Sequence, residues 1–157
     1  MENKDLVGLK TIVIEEVMRG GKIILKKETH NLTPNTGLAG FIKRMGGDGG
    51  TAGFTYLALG IGTTTAAATD TALESEIVDS GLERAAATVT YEDTTTTDDT
   101  LQLVKSWTAT GSKNVTEIGI LNAASVGILG GRVVKTAVPL ELNDIYQVTY
   151  KVVLARA

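Results

Sequence analysis

The strictest hydrophobic pattern of this chain lies close to its C-terminal end. Within residues 146–154, apolar side chains occupy every second position, and the polar side chains Gln147, Thr149 and Lys151 fill three of the four positions between them. Successive side chains of a strand point to opposite sides, so this period predicts a β-strand with one buried face. A second layer must cover that face. The pattern therefore predicts packed β-sheets.

Composition and spacing extend this prediction to the whole chain. The 157 residues include 23 Thr and 18 Gly but only 2 Pro. Threonine favours strands, and strand-like runs recur at intervals of roughly 10–15 residues, which favours antiparallel sheets over βαβ units. We expect one domain over residues 1–157: a mainly β, antiparallel β-sandwich or flattened barrel of about eight strands with one or two short helices. Residues 1–8 are expected to form a flexible N-terminal arm.

Three stretches give local predictions for the strands. The Gly20-Gly21 pair separates strand-like runs at residues 10–17 and 22–28, which indicates a β-hairpin. Residues 84–91 alternate and predict one further strand. Residues 127–134 predict a strand that its glycines interrupt with a bulge.

Two stretches predict short helices. Within residues 37–45, apolar side chains recur at i, i+3, i+4 and i+7, and Asn35 or Thr36 is suited to cap the helix. A second helix is expected to begin at Thr71, because Thr71 and Glu74 have the spacing of a capping box.

Charge and composition disfavour several classes of partner. The net charge is −3 and the isoelectric point is near 5.2, which argues against binding nucleic acid or an anionic membrane through overall charge. Aromatic residues make up only 4%, too few for a base-stacking surface. The chain has no cysteine, which excludes disulfides, thiolate metal sites and cysteine nucleophiles. Its start does not resemble a signal peptide, and no stretch approaches the roughly 18 apolar residues of a membrane span.

The residues with reactive side chains do not form a recognisable catalytic or metal-binding pattern. His30 is the only histidine and lies in a polar turn, where we expect it to be solvated. The acidic pairs at residues 92–93 and 98–99 lie in a threonine-rich loop without the pattern of a calcium-binding loop. Gly60 and Gly62 follow a strand but lack the third glycine of a dinucleotide-binding loop. We therefore predict no catalytic residue, no cofactor and no metal site, and we expect a protein that is not an enzyme.

The order of the turn and strand motifs is more informative than any one of them. A hairpin is followed by Asn-Leu-x-x-Asn-x-Gly at residues 31–37 and then by a short helix. Leu-Gly-Ile-Gly-Thr-Thr at residues 59–64 precedes Thr-Asp-Thr-Ala-Leu at residues 69–73, and Arg84 follows a few residues later. The last motif is Thr-Glu-Ile-Gly-Ile-Leu-Asn at residues 116–122.

This progression resembles a broad set of small structural proteins of tailed bacteriophages. It is similar to the attachment regions of tail-fibre and tail-collar proteins, over about residues 29–155 of this chain. The residues that carry the shared structural motif are Gly60, Gly62, Asp70, Thr71, Leu73, Glu74, Arg84, Glu117 and Gly119. Because Arg84 and Glu117 both lie at the margins of apolar strands, we predict that they form an ion pair. The alternative is two independent surface charges.

The resemblance implies a non-enzymatic virion protein, assembled in the host cytoplasm. A compact β domain of this size suits a capsid decoration (cement) protein that stabilises the particle by subunit contacts. Its expected partners are major capsid or tail proteins and further copies of itself, for example in a trimer, with no nucleic acid and no membrane. One alternative is a tail-collar, baseplate or fibre-attachment component. Another is a receptor- or carbohydrate-binding module, although Trp107 and three of the four tyrosines fall within alternating strands rather than loops.

Overall fold

The structure is a computed structural model that describes residues 6–156. Nine strands and one helix lie in this part of the chain. In chain order they are β1 (Val7–Arg19), β2 (Lys22–Thr29), α1 (Asn35–Met45), β3 (Tyr56–Gly60), β4 (Ala85–Ala86), β5 (Thr88–Glu92), β6 (Thr100–Thr108), β7 (Lys113–Leu121), β8 (Leu129–Leu140) and β9 (Ile145–Arg156).

The strands form two antiparallel sheets, which confirms the predicted mainly β fold as a sandwich rather than a closed barrel. The five-stranded sheet has the order β2-β1-β9-β6-β5, and the four-stranded sheet has the order β4-β3-β7-β8. The expected N-terminal arm over residues 1–8 lies largely outside the described residues. Its last two residues, Val7 and Gly8, pair with Arg156 and Ala155 within β1 and β9.

The alternating run near the C-terminal end forms β9, which pairs with β1 and β6 and lies at the centre of the five-stranded sheet. Tyr146, Val148 and Tyr150 are fully buried against the other sheet, as the pattern predicts. Leu154 lies on the same face but is 47% exposed, because it lines an open groove beside α1. The buried face of β9 therefore ends before the strand does.

The predicted hairpin is confirmed. It turns at Gly20 and Gly21, whose φ angles of 56° and 77° are readily adopted by glycine. The bulge predicted from the glycines of the later strand is also confirmed, because the register of β7 against β8 shifts between Ile120 and Leu121, opposite Gly130. β8 is longer than predicted and carries a second shift, opposite Thr116 of β7.

The strand predicted over residues 84–91 is split between the two sheets. β4 pairs with β3, whereas β5 pairs with β6 on the opposite layer. Between them, the N–H of Ala87 donates a 2.9 Å hydrogen bond to the carbonyl of Thr55. The alternation of side chains did not reveal this crossing, because the period stays at two while the chain changes layers.

The first predicted helix is present as α1, and the second is absent. α1 has Pro34 at its N-cap position and no side-chain cap, Asn35 lies within the helix, and the hydroxyl of Thr36 donates to the carbonyl of Leu129. Neither Asn35 nor Thr36 is therefore the cap that we predicted. Residues 71–84 contain turns, bends and a single β-bridge but no helix, so the capping box at Thr71 and Glu74 is also a wrong prediction. No helix of residues 6–156 is long and apolar enough to cross a membrane.

Candidate functional site

A buried carboxylate organises one end of the four-stranded sheet. Glu117 of β7 is completely buried. Its Oε1 accepts hydrogen bonds from the N–H groups of Gly62 and Ser75 at 3.1 and 2.7 Å, and its Oε2 accepts one from the N–H of Glu74 at 3.1 Å. Burying a charge is strongly unfavourable unless partners of this kind replace its hydration. The side chain of Glu117 thus holds the loop between β3 and β4 through the backbone N–H groups of that loop.

Arg132 of β8 completes the arrangement. Its Nε donates to Oε2 of Glu117 at 2.9 Å, and its two terminal nitrogens lie 2.8 Å from Asp70 and 3.4 Å from Glu74. Burial tends to lower the pKa of Arg132, but the hydrogen bonds and charges of Asp70 and Glu117 outweigh that effect and raise it. We name this cluster of Glu117, Arg132, Asp70 and Glu74 the charge network. It joins β7, β8 and the loop after β3.

The glycines of the predicted motif provide the space for this network. A Cβ atom on Gly60 would lie 2.5 Å from Cγ of Glu117, and one on Gly62 would lie 2.6 Å from its Oε1. A Cβ on Gly119 would lie 2.8 Å from Cδ2 of Leu73, a buried side chain of the same loop. Each glycine is therefore required by close approach rather than by a special backbone angle.

Most of the residues singled out by the sequence are brought together here. Those that form or directly contact the charge network or the adjoining Leu73 contact are Gly60, Gly62, Asp70, Leu73, Glu74, Glu117 and Gly119. Thr71 is exposed in the intervening loop, and Arg84 lies in a separate ion pair.

The predicted ion pair between Arg84 and Glu117 is wrong. Nε of Arg84 donates to Oε1 of Glu76 at 2.8 Å, and its Nη1 donates to the carbonyl of Val126 at 2.8 Å. Glu117 pairs with Arg132 because Arg132 lies opposite Gly119 on the neighbouring strand, diagonally next to Glu117. Arg84 is partly buried and pairs with Glu76, whereas Glu117 is fully buried and pairs with Arg132.

Arg132 was not identified from the sequence. The available signal was a single charged residue within the apolar run of residues 128–134, directly after two glycines. A charge in that position requires a buried partner of opposite sign, and Glu117 has the corresponding property on its own apolar strand.

A second buried ion pair joins the two sheets. Nζ of Lys135 on β8 lies 2.8 Å from Oε1 of Glu15 on β1, and both side chains are at most 1% exposed. The hydroxyl of Tyr146 also donates to Glu15. Burial lowers the pKa of Lys135, while the charge of Glu15 opposes that shift. Lys135 lies within the second register shift of β8. The strand is therefore irregular at the residue whose side chain points into the interior.

An open apolar groove lies between α1 and the end of the five-stranded sheet. Its volume is about 680 Å³. α1 contributes Leu38, Phe41, Ile42 and Met45 to one wall, and the sheet contributes Tyr91, Leu101 and Leu154 to the other. Several of these side chains remain accessible, with Ile42 67%, Tyr91 69% and Met45 75% exposed. We name this feature the α1 groove.

The other polar residues considered in the sequence have local structural contacts. His30 is exposed, and its Nδ1 lies 3.0 Å from the carbonyl oxygen of Thr11. In the loop of residues 93–99, the carboxylate of Asp99 accepts hydrogen bonds from the hydroxyl of Thr95 and from the N–H groups of residues 94–96. The bonds from Thr95, Thr94 and the hydroxyl of Thr100 lower the pKa of Asp99. Residues 6–156 contain no group of three or more His, Asp or Glu side chains placed to hold a metal ion.

Fold and site define a two-sheet β-sandwich in which a charge network fixes one long loop and an apolar groove stays open. Comparisons with protein-family models, with curated protein sequences and with solved structures found no match to this chain.

Proposed function

We propose that this protein is a non-enzymatic structural protein of a tailed-bacteriophage virion, most specifically a capsid decoration protein that stabilises the particle by subunit contacts. One observation carries the proposal. The motif residues that resemble those of phage structural proteins come from separate parts of the sequence, and in the fold all of them except Thr71 and Arg84 lie at or beside the network of Glu117 and Arg132. A set of residues that specifies the shape of one loop suits a protein that acts by presenting a fixed surface.

The fold offers two means of binding a neighbouring subunit. The outer strands of the two sheets are β2 and β5 in one and β4 and β8 in the other, and a partner strand can add to such an edge. The loop of residues 61–77 is held to the sheet by the charge network, so it can bind without the loss of entropy that ordering a mobile loop requires. Its proposed partners are the major capsid or tail proteins, and its proposed location is the virion.

A tail-collar, baseplate or fibre-attachment component is the second candidate. The observation in its favour is the motif order itself, which resembles the attachment regions of tail-fibre and tail-collar proteins. A carbohydrate-binding module is less well supported, because such modules present aromatic side chains to their ligand. Here Trp107 is 4% exposed and donates from Nε1 to the carbonyl of Glu83, and Tyr146 and Tyr150 are fully buried.

The number of copies in purified particles tests the proposal. Quantitative mass spectrometry of gradient-purified virions, with the major capsid protein as internal standard, should find hundreds of copies of a decoration protein. Roughly six to twelve copies would instead support the collar or baseplate candidate, because those assemblies are small symmetric rings. Presence in the infected-cell lysate together with absence from purified particles would overturn both candidates.

Particle stability provides a second test of the same proposal. Virions that lack the protein should lose DNA at a lower temperature than complete virions, and added purified protein should restore the difference. Arg132→Met protein serves as the comparison, because it removes the charge network that holds the loop of residues 61–77, so it should restore the difference less well than the unchanged protein. Restoration by an unrelated protein of similar charge would count against a specific contact.

A further inference from the structure

The α1 groove is an apolar surface that the fold itself leaves uncovered. α1 has two faces: Gly37 and Gly40 are buried against the sandwich, whereas Leu38 is 47% and Ile42 is 67% exposed. On the opposite wall, Tyr91 is 69% exposed on the edge strand β5. Contiguous exposed apolar surface of this kind marks a contact site on soluble proteins.

The two walls of the groove carry opposite charges. Arg44 lines it from α1, and Asp98 lines it from the loop before β6. In the described part of the chain, neither side chain takes part in an ion pair or a side-chain hydrogen bond. The neighbouring Asp99 is already engaged, because its carboxylate accepts hydrogen bonds from the N–H groups of residues 94–96. The groove therefore has one basic and one acidic wall, each able to take a partner.

We infer that the α1 groove docks a second copy of this chain about a two-fold axis. In a two-fold contact the same surface is used by both copies, so residue i meets residue j and j meets i. The positive wall of each copy then meets the negative wall of the other, and Arg44 pairs with Asp98 twice. A surface with a positive and a negative side is therefore complementary to a second copy of itself. A partner that carries charge of a single sign would be repelled by one of the two walls.

Apolar contact supplies the remainder of the interface. Ile42 and Met45 line the groove and are 67% and 75% exposed, so each copy can cover the apolar wall of the other. The net charge of −3 is small for a chain of this length, so general repulsion between copies is weak. This dimer does not depend on the proposed virion role, which particle composition tests separately.

Analytical ultracentrifugation of the purified full chain tests the inference. Between about 1 and 100 µM, a range that spans ordinary protein–protein affinities, the sedimenting mass should rise from the 16.5 kDa monomer to twice that value. Ile42→Asp should keep the chain monomeric over the same range. Ile23→Asp is the matched control, because Ile23 is 56% exposed on β2 and does not line the groove, and this variant should dimerise like the unchanged chain. A monomer at every concentration, or equal effects of the two variants, would overturn the inference.

A charge exchange tests the pairing itself. Arg44→Asp and Asp98→Arg should each raise the dissociation constant about tenfold or more, because each places like charges in contact twice per dimer. The double variant restores both pairs and should bind within about threefold of the unchanged chain. Thermal melting checks that each variant is folded, since Asp98 has a φ of 56° that few residues adopt readily.

Where Asp98→Arg fails to fold, Asp98→Asn replaces it, because asparagine tolerates this backbone conformation. It should weaken the dimer about threefold, and Arg44→Gln should do the same. Additive losses in the charge-exchanged double variant would refute the pairing. Native mass spectrometry that finds a bound apolar small molecule on a monomeric chain would show that a ligand, rather than a second copy, occupies the groove.

Discussion

Nε of Arg132 lies 2.9 Å from Oε2 of Glu117, and the two side chains are 3% and 0% exposed. This contact connects neighbouring strands of the four-stranded sheet, and through Glu117 it reaches the backbone of a loop that begins 55 residues earlier in the sequence, at Gly62. Breaking a buried pair leaves the remaining charge without compensation, which destabilises far more than losing an exposed pair.

Arg132→Met is therefore expected to lower the free energy of unfolding by about 3–5 kcal/mol. Urea denaturation followed by the fluorescence of Trp107 measures the change. Lys26→Met is the control, because the Lys26–Glu16 pair is even shorter, at 2.7 Å, but the lysine is 65% exposed. The control should stay within about 1 kcal/mol of the unchanged protein. Similar losses in the two variants would refute the role assigned to the charge network.

The two buried pairs are expected to respond differently to complete apolar replacement. Glu15→Leu combined with Lys135→Met should lose no more than about 1–3 kcal/mol, because such pairs often exchange for apolar residues without loss and the hydroxyl of Tyr146 is the donor left without its acceptor. Glu117→Leu combined with Arg132→Met should remain strongly destabilised, since it leaves the N–H groups of Gly62, Glu74 and Ser75 without an acceptor, each at about 1–3 kcal/mol. Equal stability of the two double variants, measured by calorimetry, would contradict this distinction.

Gly62→Ala is expected to lower stability by about 1–3 kcal/mol, because its Cβ would lie 2.6 Å from both Oε1 of Glu117 and Cβ of Glu74. Gly49→Ala is the matched control: no atom lies within 4 Å of its Cβ, and its backbone angle does not favour glycine. The control should change stability by less than about 0.5 kcal/mol. Thermal melting of both variants decides the point, and a tolerated Gly62→Ala would show that the loop moves aside.

Acid should destabilise the fold through the carboxylates of the network. The N–H of Ala67 lowers the pKa of Asp70, and Arg132 adds to this against the opposing effect of burial. Hydrogen bonds from Thr64 lower the pKa of Glu74. A carboxylate whose folded pKa is depressed contributes stability above its unfolded pKa of about 4 and loses it as the pH falls towards the folded value.

The urea midpoint is therefore expected to fall as the pH decreases below about 5. Asp70→Asn should lower stability at neutral pH and flatten the decline, because the residue no longer titrates. Glu28→Gln, on an exposed position of β2, should follow the profile of the unchanged protein. A profile for Asp70→Asn that runs parallel to that of the unchanged protein would show that Asp70 does not contribute to the acid sensitivity.

Sequence periodicity was sufficient for most strands, but it did not reveal the crossing between β4 and β5 or the charge network. β9 and the hairpin at Gly20 and Gly21 follow from local rules, namely a period of two and a turn that glycine favours. The helix expected at Thr71 does not form, because Glu74 bonds instead to Thr64 and to Glu117, which are distant in sequence. Local propensity is a weak preference that tertiary contacts override.

The partner of each buried charge could not be predicted from the sequence, because it also depends on tertiary structure. Two apolar strands with one charge each suggest a pair, but the partner depends on register. Register places Arg132 beside Glu117 and leaves Arg84 to Glu76. The identity of the motif residues was visible in the sequence, and their geometry depended on bulges in β8 that shift its alignment with β7.

The anchoring of the loop after β3 has a consequence for the order of folding. Its contacts to Glu117 and Arg132 span 42 to 62 residues of chain, and contacts of such long range are costly to form early, so we expect them to form after β7 and β8 have paired. We expect mutations at Asp70 to accelerate unfolding and to leave the refolding rate almost unchanged, which stopped-flow measurements would detect. The loop would then acquire its fixed shape at the last stage of folding, so an immature chain would not present that surface to a partner.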